Sequence, residues 1–240
     1  MLKAAKTYYR AELSGFENIP PGPALLVGNH NAIAVVSPEI WLFGSRYFEE
    51  YDKLKVLGHD LVLRAPGAAR FARSYLKYIP NSHASALRAL AEGSHVLVYP
   101  GGAWESCRPS RERGRIDFAG RTGFVRLARE AGVPIVPVVA TGAHDGVYVW
   151  RRGTRLARAL GLKRWFRIDA FPVGLSFPLL FLIGPLFPFV PLPRKVILKV
   201  LPPVTLTHAD AAGDARAAAA IVAAMQQVMN ESAARRAPGS

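Results

Sequence analysis

Cysteine is almost missing from this chain of 240 residues. Cys107 stands alone, so no disulfide can form within the chain, and nothing in cysteine usage points to an oxidising compartment. Acidic residues are scarce too, 17 against 31 Lys and Arg, leaving a net charge of +14. Half of the residues are hydrophobic, which excludes a disordered chain. The N-terminus lacks the continuous apolar core and small-residue cleavage site of a signal peptide. The expected location is therefore the cytoplasm or the cytoplasmic face of a membrane. His30, His83, His95 and His144 have no ligand spacing with acids or cysteines, so no metal is expected. No nucleic-acid motif accompanies the positive charge, which argues against a nucleic-acid partner. No internal repeat or linker divides the chain, and one domain over 1–240 is expected.

What is present is a set of short apolar runs, each followed by chemistry. Ala24-Leu25-Leu26-Val27 leads into Gly28-Asn29-His30, and Val96-Leu97-Val98 leads into Tyr99-Pro100-Gly101-Gly102-Ala103-Trp104-Glu105. Runs of this length bounded by Gly or Pro predict strands buried on both faces. Val133 to Val139 predicts another, its prolines suggesting a sheet edge. Between them Asn81-Ser82 caps a helix that stops at Gly93, and Phe124, Leu127, Ala128 and Ala131 mark a second helix ending at Gly132. The order predicts an α/β fold with a mainly parallel central sheet flanked by helices. Arg70, Arg73 and Lys77 suggest a basic helix face within 67–78. Residues 1–12 read as a basic N-terminal helix, Lys195–Leu201 as a late strand, and 214–235 as a C-terminal helix.

Two segments bear on partners. Between Arg108 and Arg167 stand fourteen basic and four acidic residues, a balance of +10 that attracts phosphates. Ala170 to Pro193 carries no charge but six prolines, too many for one regular spanning helix. It is expected either as buried strand and loops or as an apolar surface dipping into one leaflet.

In open α/β sheets ligands bind at the carboxyl edge of the strands. His30, at such a strand tip, is the candidate general base, since an imidazole can take a proton from a hydroxyl. Gly101 and Gly102 can turn backbone amides toward an oxyanion or phosphate. Glu105 reads as an acceptor for a substrate hydroxyl or as a capping acid. Arg108 and Arg111 head a run suited to phosphate. Ser37-Pro38-Glu39 reads as a helix start, and Cys107 reads as packing.

These segments, with Arg115-Ile116-Asp117-Phe118-Ala119-Gly120-Arg121-Thr122-Gly123-Phe124 and Val133-Pro134-Ile135-Val136-Pro137-Val138, resemble in order the lysophospholipid/glycerolipid acyltransferase superfamily. The Pro-Gly-Gly-Ala-x-Glu form is similar to its mono- and diacylglycerol acyltransferase-like branch. The resemblance implies transfer of a fatty acyl group from acyl-CoA or acyl carrier protein to a lipid hydroxyl at a membrane surface, with His30 as base and no bound cofactor. Two departures stand out. The family pattern His-x4-Asp has Val35 in place of the Asp, so Glu39 is the expected partner of His30, with Asp60, Glu105 and Asp145 as fallbacks. The family's Gly-x-x-Phe-x-x-Arg motif has no counterpart near Tyr78-Ile79-Pro80-Asn81-Ser82, which favours an acceptor less polar than a glycerol phosphate. The competing expectations are a hydrolase using His30 with Ser106 or Cys107, and a non-catalytic acyl-lipid-binding protein.

Overall fold

The apolar runs fold side by side into one sheet whose carboxyl edge collects the chemistry. The computed structural model describes residues 2–31, 37–58, 70, 72–74, 77–166, 169–175, 182–183, 192–207 and 210–235. In chain order the strands are β1 (Glu12–Ser14), β2 (Leu25–Gly28), β3 (Leu54–Gly58), β4 (Tyr78–Pro80), β5 (His95–Val98), β6 (Ile135–Thr141), β7 (Tyr148–Arg151), β8 (Val173–Leu175), β9 (Leu182–Ile183) and β10 (Ile197–Val200). The helices are α1 (Leu2–Tyr8), α2 (Pro38–Tyr47), α3 (His83–Ala91), α4 (Gly102–Ser106), α5 (Gly123–Ala131), α6 (Thr154–Ala159), α7 (Leu162–Phe166) and α8 (Ala211–Ala234).

Seven strands form the main sheet in the order β1-β10-β6-β2-β5-β3-β4, and β7-β8-β9 form a small antiparallel one. From β6 through β4 all neighbours are parallel. β10 runs antiparallel to β6, and β1 parallel to β10. Leu25, Val27, Val96 and Ile135 pack on one face against α3, α5 and α8 through Ala89, Leu90, Val125, Ala128, Ile221 and Met225. Leu26, Leu97, Val136 and Val138 pack on the other against Phe16, Phe43 and Tyr47. Burial on both faces is why these strands are continuous apolar runs without alternation. Each fully buried Leu or Val contributes ~1.5–3 kcal/mol of transfer free energy.

Ser82 caps α3, its Oγ accepting from the Ser85 amide at 3.1 Å. α5 ends where Gly132 turns left-handed at φ 65°. Asp210 caps α8 and so starts that helix ahead of the expected 214. The Arg129 guanidinium then grips Asp214 with two bonds, 3.1 and 3.0 Å, tying α5 to α8.

Two expectations are corrected. β6 is an interior strand, not an edge, despite Pro137. The Pro137 carbonyl accepts from Leu201 at 2.8 Å, so its missing N–H lies on the β10 side, where that pairing ends, and the β2 ladder loses nothing. The basic helix expected to 78 stops sooner: Arg70 and residues 72–74 are helical, but Lys77 has φ 53° and Tyr78 opens β4. Asp60 and most of 59–76 lie outside the described residues. Within the uncharged 170–193 stretch the described part supplies β8 and β9 of the small sheet. Residues 176–181 and 184–191 lie outside the described residues. Among the described residues no helix is long and apolar enough to cross a membrane.

Candidate active site

Because β2, β5 and β6 are parallel, their carboxyl ends deliver residues 29–31, 99–105 and 141–144 to one edge. Asn29 fixes the first of these. Its side chain donates to the Ala140 carbonyl at 3.0 Å and accepts from the Ala140 amide at 2.8 Å, so the β2–β6 ladder is prolonged by a side chain. His30 leaves the sheet directly after this clamp. The Asn31 side chain repeats the device one step on, accepting from the His144 amide at 3.3 Å.

The His30 backbone is held from both ends by buried charge. Its amide donates to Glu105 Oε2 at 2.9 Å, and its carbonyl accepts from Arg108 Nη1 at 2.6 Å. The ring stacks on Tyr99 with centroids 4.4 Å apart and planes 20° from parallel. Gly28 is required for that stacking, since a Cβ there would lie 2.6 Å from the Tyr99 ring. Nδ1 faces Glu39, 3.5 Å from Oε1, within ion-pair reach. The same Glu39 oxygen accepts the Asn31 amide at 3.0 Å, so the carboxylate is fixed by backbone. Glu39 is buried and sits in the first turn of α2, directly after Pro38. With Nδ1 turned to Glu39, Nε2 is the nitrogen left for a substrate, and the His30 side chain is 14% exposed.

Several expected ligand contacts turn out to be internal braces. Glu105 lies on the short helix α4, fully buried, with its two oxygens accepting the amides of His30 and Asp117 at 2.9 and 3.2 Å. Burial pushes its carboxyl up to about 7, while Arg108 and His30 pull the other way. It therefore does not receive a substrate hydroxyl. Arg108 is equally buried, and its Nη1 also donates to the Glu105 carbonyl at 3.1 Å. The guanidinium expected to meet a phosphate is thus spent on backbone carbonyls in this structure. Arg111 is exposed beside Glu112 at 3.6 Å. The Gly102 amide is spent on the Tyr99 carbonyl at 3.1 Å, so it is not free for an oxyanion. Gly101 is needed for close packing, since a Cβ there would fall 2.4 Å from Glu105. Asp145 pairs with Arg113 at 3.4 Å. Cys107 is buried, and burial pushes its thiol up to about 12. Ser106 is buried as well, its hydroxyl donating to the Ala103 carbonyl at 3.4 Å.

Other residues at this edge had no individual role in the sequence reading. Arg121 donates from Nη1 to the carbonyls of Pro100 and Gly101 at 2.9 and 2.6 Å, and from Nη2 to Asp169 at 3.3 Å. It locks the turn before α4. Trp104 donates to Asp117 at 3.0 Å and carries the Arg152 guanidinium 3.8 Å above its ring. A cavity of about 420 Å³ opens beside the Tyr99–Ala103 turn, lined among others by Leu57, Val98, Phe124 and Leu127, with Arg121 and Arg126 contributing charge.

A histidine and a buried carboxylate thus meet at the carboxyl edge of a parallel sheet, and Tyr99, stacked on that histidine, also lines the cavity. Residues 10–141 match the Acyltransferase family, more than half of the chain, and the chain belongs to that family. It is 32% identical over 197 residues to an uncharacterized protein of Mycobacterium tuberculosis, covering 79% of this chain and 51% of that one. It is 27% identical over 175 residues to the DGAT1/2-independent enzyme synthesizing storage lipids of Mus musculus, covering 72% and 51%. The chain spans about half the length of these curated relatives. The crystal structure of the 1-acyl-sn-glycerophosphate (LPA) acyltransferase PlsC from Thermotoga maritima shares the fold, with a TM-score of 0.57 at 17% identity over 96% of this chain and 79% of that one.

Proposed function

We propose that this chain transfers a fatty acyl group from a thioester donor, acyl-CoA or acyl carrier protein, to the hydroxyl of a glycerolipid. The observation that carries the reading is the His30–Glu39 pair, 3.5 Å apart at the sheet edge, with Tyr99 stacked on His30 and lining the cavity. His30 Nε2 takes the proton as the acceptor oxygen attacks the thioester carbon. Glu39 holds Nδ1 and stabilises the imidazolium. Collapse of the tetrahedral intermediate breaks the C–S bond, and the imidazolium returns its proton to the departing thiolate.

The missing Gly-x-x-Phe-x-x-Arg motif supports a neutral acceptor, a mono- or diacylglycerol. The name of the mouse relative supports the same choice. A hydrolase is the weaker reading, because Ser106 and Cys107 are both buried and Ser106 is turned to a backbone carbonyl.

The purified protein is to be offered acyl-CoA or acyl carrier protein with monoacylglycerol, diacylglycerol or lysophosphatidate, and products read by mass spectrometry. His30→Ala should lower acyl transfer by ~10²–10⁴-fold with an unchanged circular dichroism spectrum. Retention of more than half the rate rejects His30 as base. Free fatty acid as the sole product rejects transfer in favour of hydrolysis.

A further inference from the structure

The small sheet exposes side chains that a water-facing surface has no use for. Tyr148 is 56% and Trp150 68% exposed on β7, while Val149 between them is buried. Leu175 on β8 lies directly opposite Tyr148 and is also exposed, as is Val173 opposite Arg151. A register shift between Val149 and Arg151 accommodates Trp150. On the following α6, Ala157 is buried, whereas Leu156 and Leu160 stand exposed four residues apart. Six of the nine exposed large apolar side chains among the described residues thus belong to one module. Scattered apolar side chains need no explanation; a concentration of this kind marks an interaction surface.

The charge of the same module is one-signed. Between Asp145 and Asp169 the sequence holds no acid, yet it holds Arg151, Arg152, Arg155, Arg158, Lys163, Arg164 and Arg167. Arg151, Arg155, Arg158 and Lys163 are exposed, and none has a carboxylate partner among the described residues. We infer that β7, β8 and α6 form a docking face for an anionic phospholipid surface. Arginine and lysine attract the phosphates at long range, Trp and Tyr settle at headgroup depth, and Leu, Val and the basic stems fill in below them. A nucleic acid matches the charge but leaves four aliphatic side chains without a role. A second copy of this chain would set like charges face to face.

The face is joined to the site. Arg152 leaves the module to stack on Trp104 and pair with Glu112 at 2.9 Å, and the Val149 amide donates to Ser110 Oγ at 2.8 Å. Trp104 belongs to α4, the helix whose Glu105 holds the His30 amide. The inference deepens the acyl-transfer reading, but its test does not depend on turnover.

The test is flotation with vesicles of phosphatidylcholine alone or mixed with phosphatidylglycerol, at low and high salt. The unmodified protein should float with the anionic vesicles and be released only in part by salt, since screening acts on charge and not on apolar burial. Trp150→Ser with Leu160→Ser should weaken this binding about tenfold and make it fully salt-releasable. Arg151→Glu with Arg155→Glu and Arg158→Glu should abolish the preference for anionic vesicles. Both variants should keep the circular dichroism spectrum and melting temperature of the unmodified protein, which shows that they fold. Vesicle binding unchanged in both variants, or no binding by the unmodified protein, overturns the inference. A dimer by sedimentation that the variants dissolve, without vesicle binding, overturns it in favour of self-association. Vesicle binding through this face in a protein that transfers no acyl group leaves the docking face standing and rejects the acyltransferase reading instead.

Discussion

Glu39 reaches His30 from the first turn of the next helix, its Oε1 standing 3.5 Å from the imidazole Nδ1 while the same oxygen accepts the Asn31 amide at 3.0 Å. Pro38 begins that helix and Ser37 precedes it in an extended conformation, so the carboxylate is aimed by backbone geometry. This is the place where the family's His-x4-Asp carboxylate is missing.

Glu39→Gln keeps the shape and the Asn31 hydrogen bond but removes the charge opposite the imidazolium. The turnover number should fall by roughly 10–10³-fold, less than the ~10⁴ contributed by the buried aspartate of a serine-protease triad, because this pair is longer. The Michaelis constant should stay nearly constant. Steady-state kinetics and a thermal melt check both; an unchanged turnover number removes Glu39 from the mechanism.

Arg108→Met should destabilise the fold more than it alters any surface property. The change leaves Glu105 buried without its cation, which costs on the order of 3–5 kcal/mol where the carboxylate stays ionised. Burial already holds the Glu105 carboxyl at about 7. The loss should therefore be larger at pH 8 than at pH 5.5, where the neutral acid needs no partner. Urea denaturation at the two pH values measures it.

Two buried groups make stability depend on pH in opposite directions. The Glu105 carboxyl is raised by burial, so the folded state holds its proton up to about 7 and stability falls as pH rises from roughly 4.5 to 7. His144 is lowered to about 3, chiefly by burial and further by Arg108, so stability falls as pH drops from roughly 6.5 toward 3. Each contribution is on the order of a few kcal/mol. Glu105→Gln should flatten the neutral limb of the stability profile and His144→Phe the acid limb. Melting temperatures across pH 4–8 for both variants separate the two.

The parts legible in the sequence are those set by neighbours along the chain. Leu25 to Val27 and Val96 to Val98 read as doubly buried strands because every residue is apolar. Ser82 reads as a cap, and Glu39 as a first-turn acid. What was misread depends on partners far along the chain. Arg108 looks like the first of a phosphate-binding series, yet it is buried under His30 by a bond spanning 78 positions. Glu105 looks like a loop acid, but its oxygens close on amides 75 and 12 positions away. Pro137 signals an edge by its missing donor, and only the side on which that donor would have faced shows why an interior strand tolerates it. Tyr99 gives no signal beyond its place at a strand tip, since stacking on His30 requires knowing that β2 and β5 are adjacent.

The antiparallel strand β10 carries a consequence for how the chain is made. Glu12 of β1 pairs with Ile197, and the Asn18 side chain donates to the Val200 carbonyl at 3.0 Å. The early strand therefore waits for a late one. At ~5–20 residues per second, synthesis of the intervening chain takes on the order of ten seconds or more. For the last part of that interval, the roughly 55 residues between Thr141 and Ile197 (about 3–11 s at that rate), β6 has β2 on one flank and nothing on the other, and its edge is apolar. A nascent chain stalled between β6 and β10 exposes that edge beside an already assembled β2–β5 pair, a template for another chain's strand and a natural substrate for a chaperone.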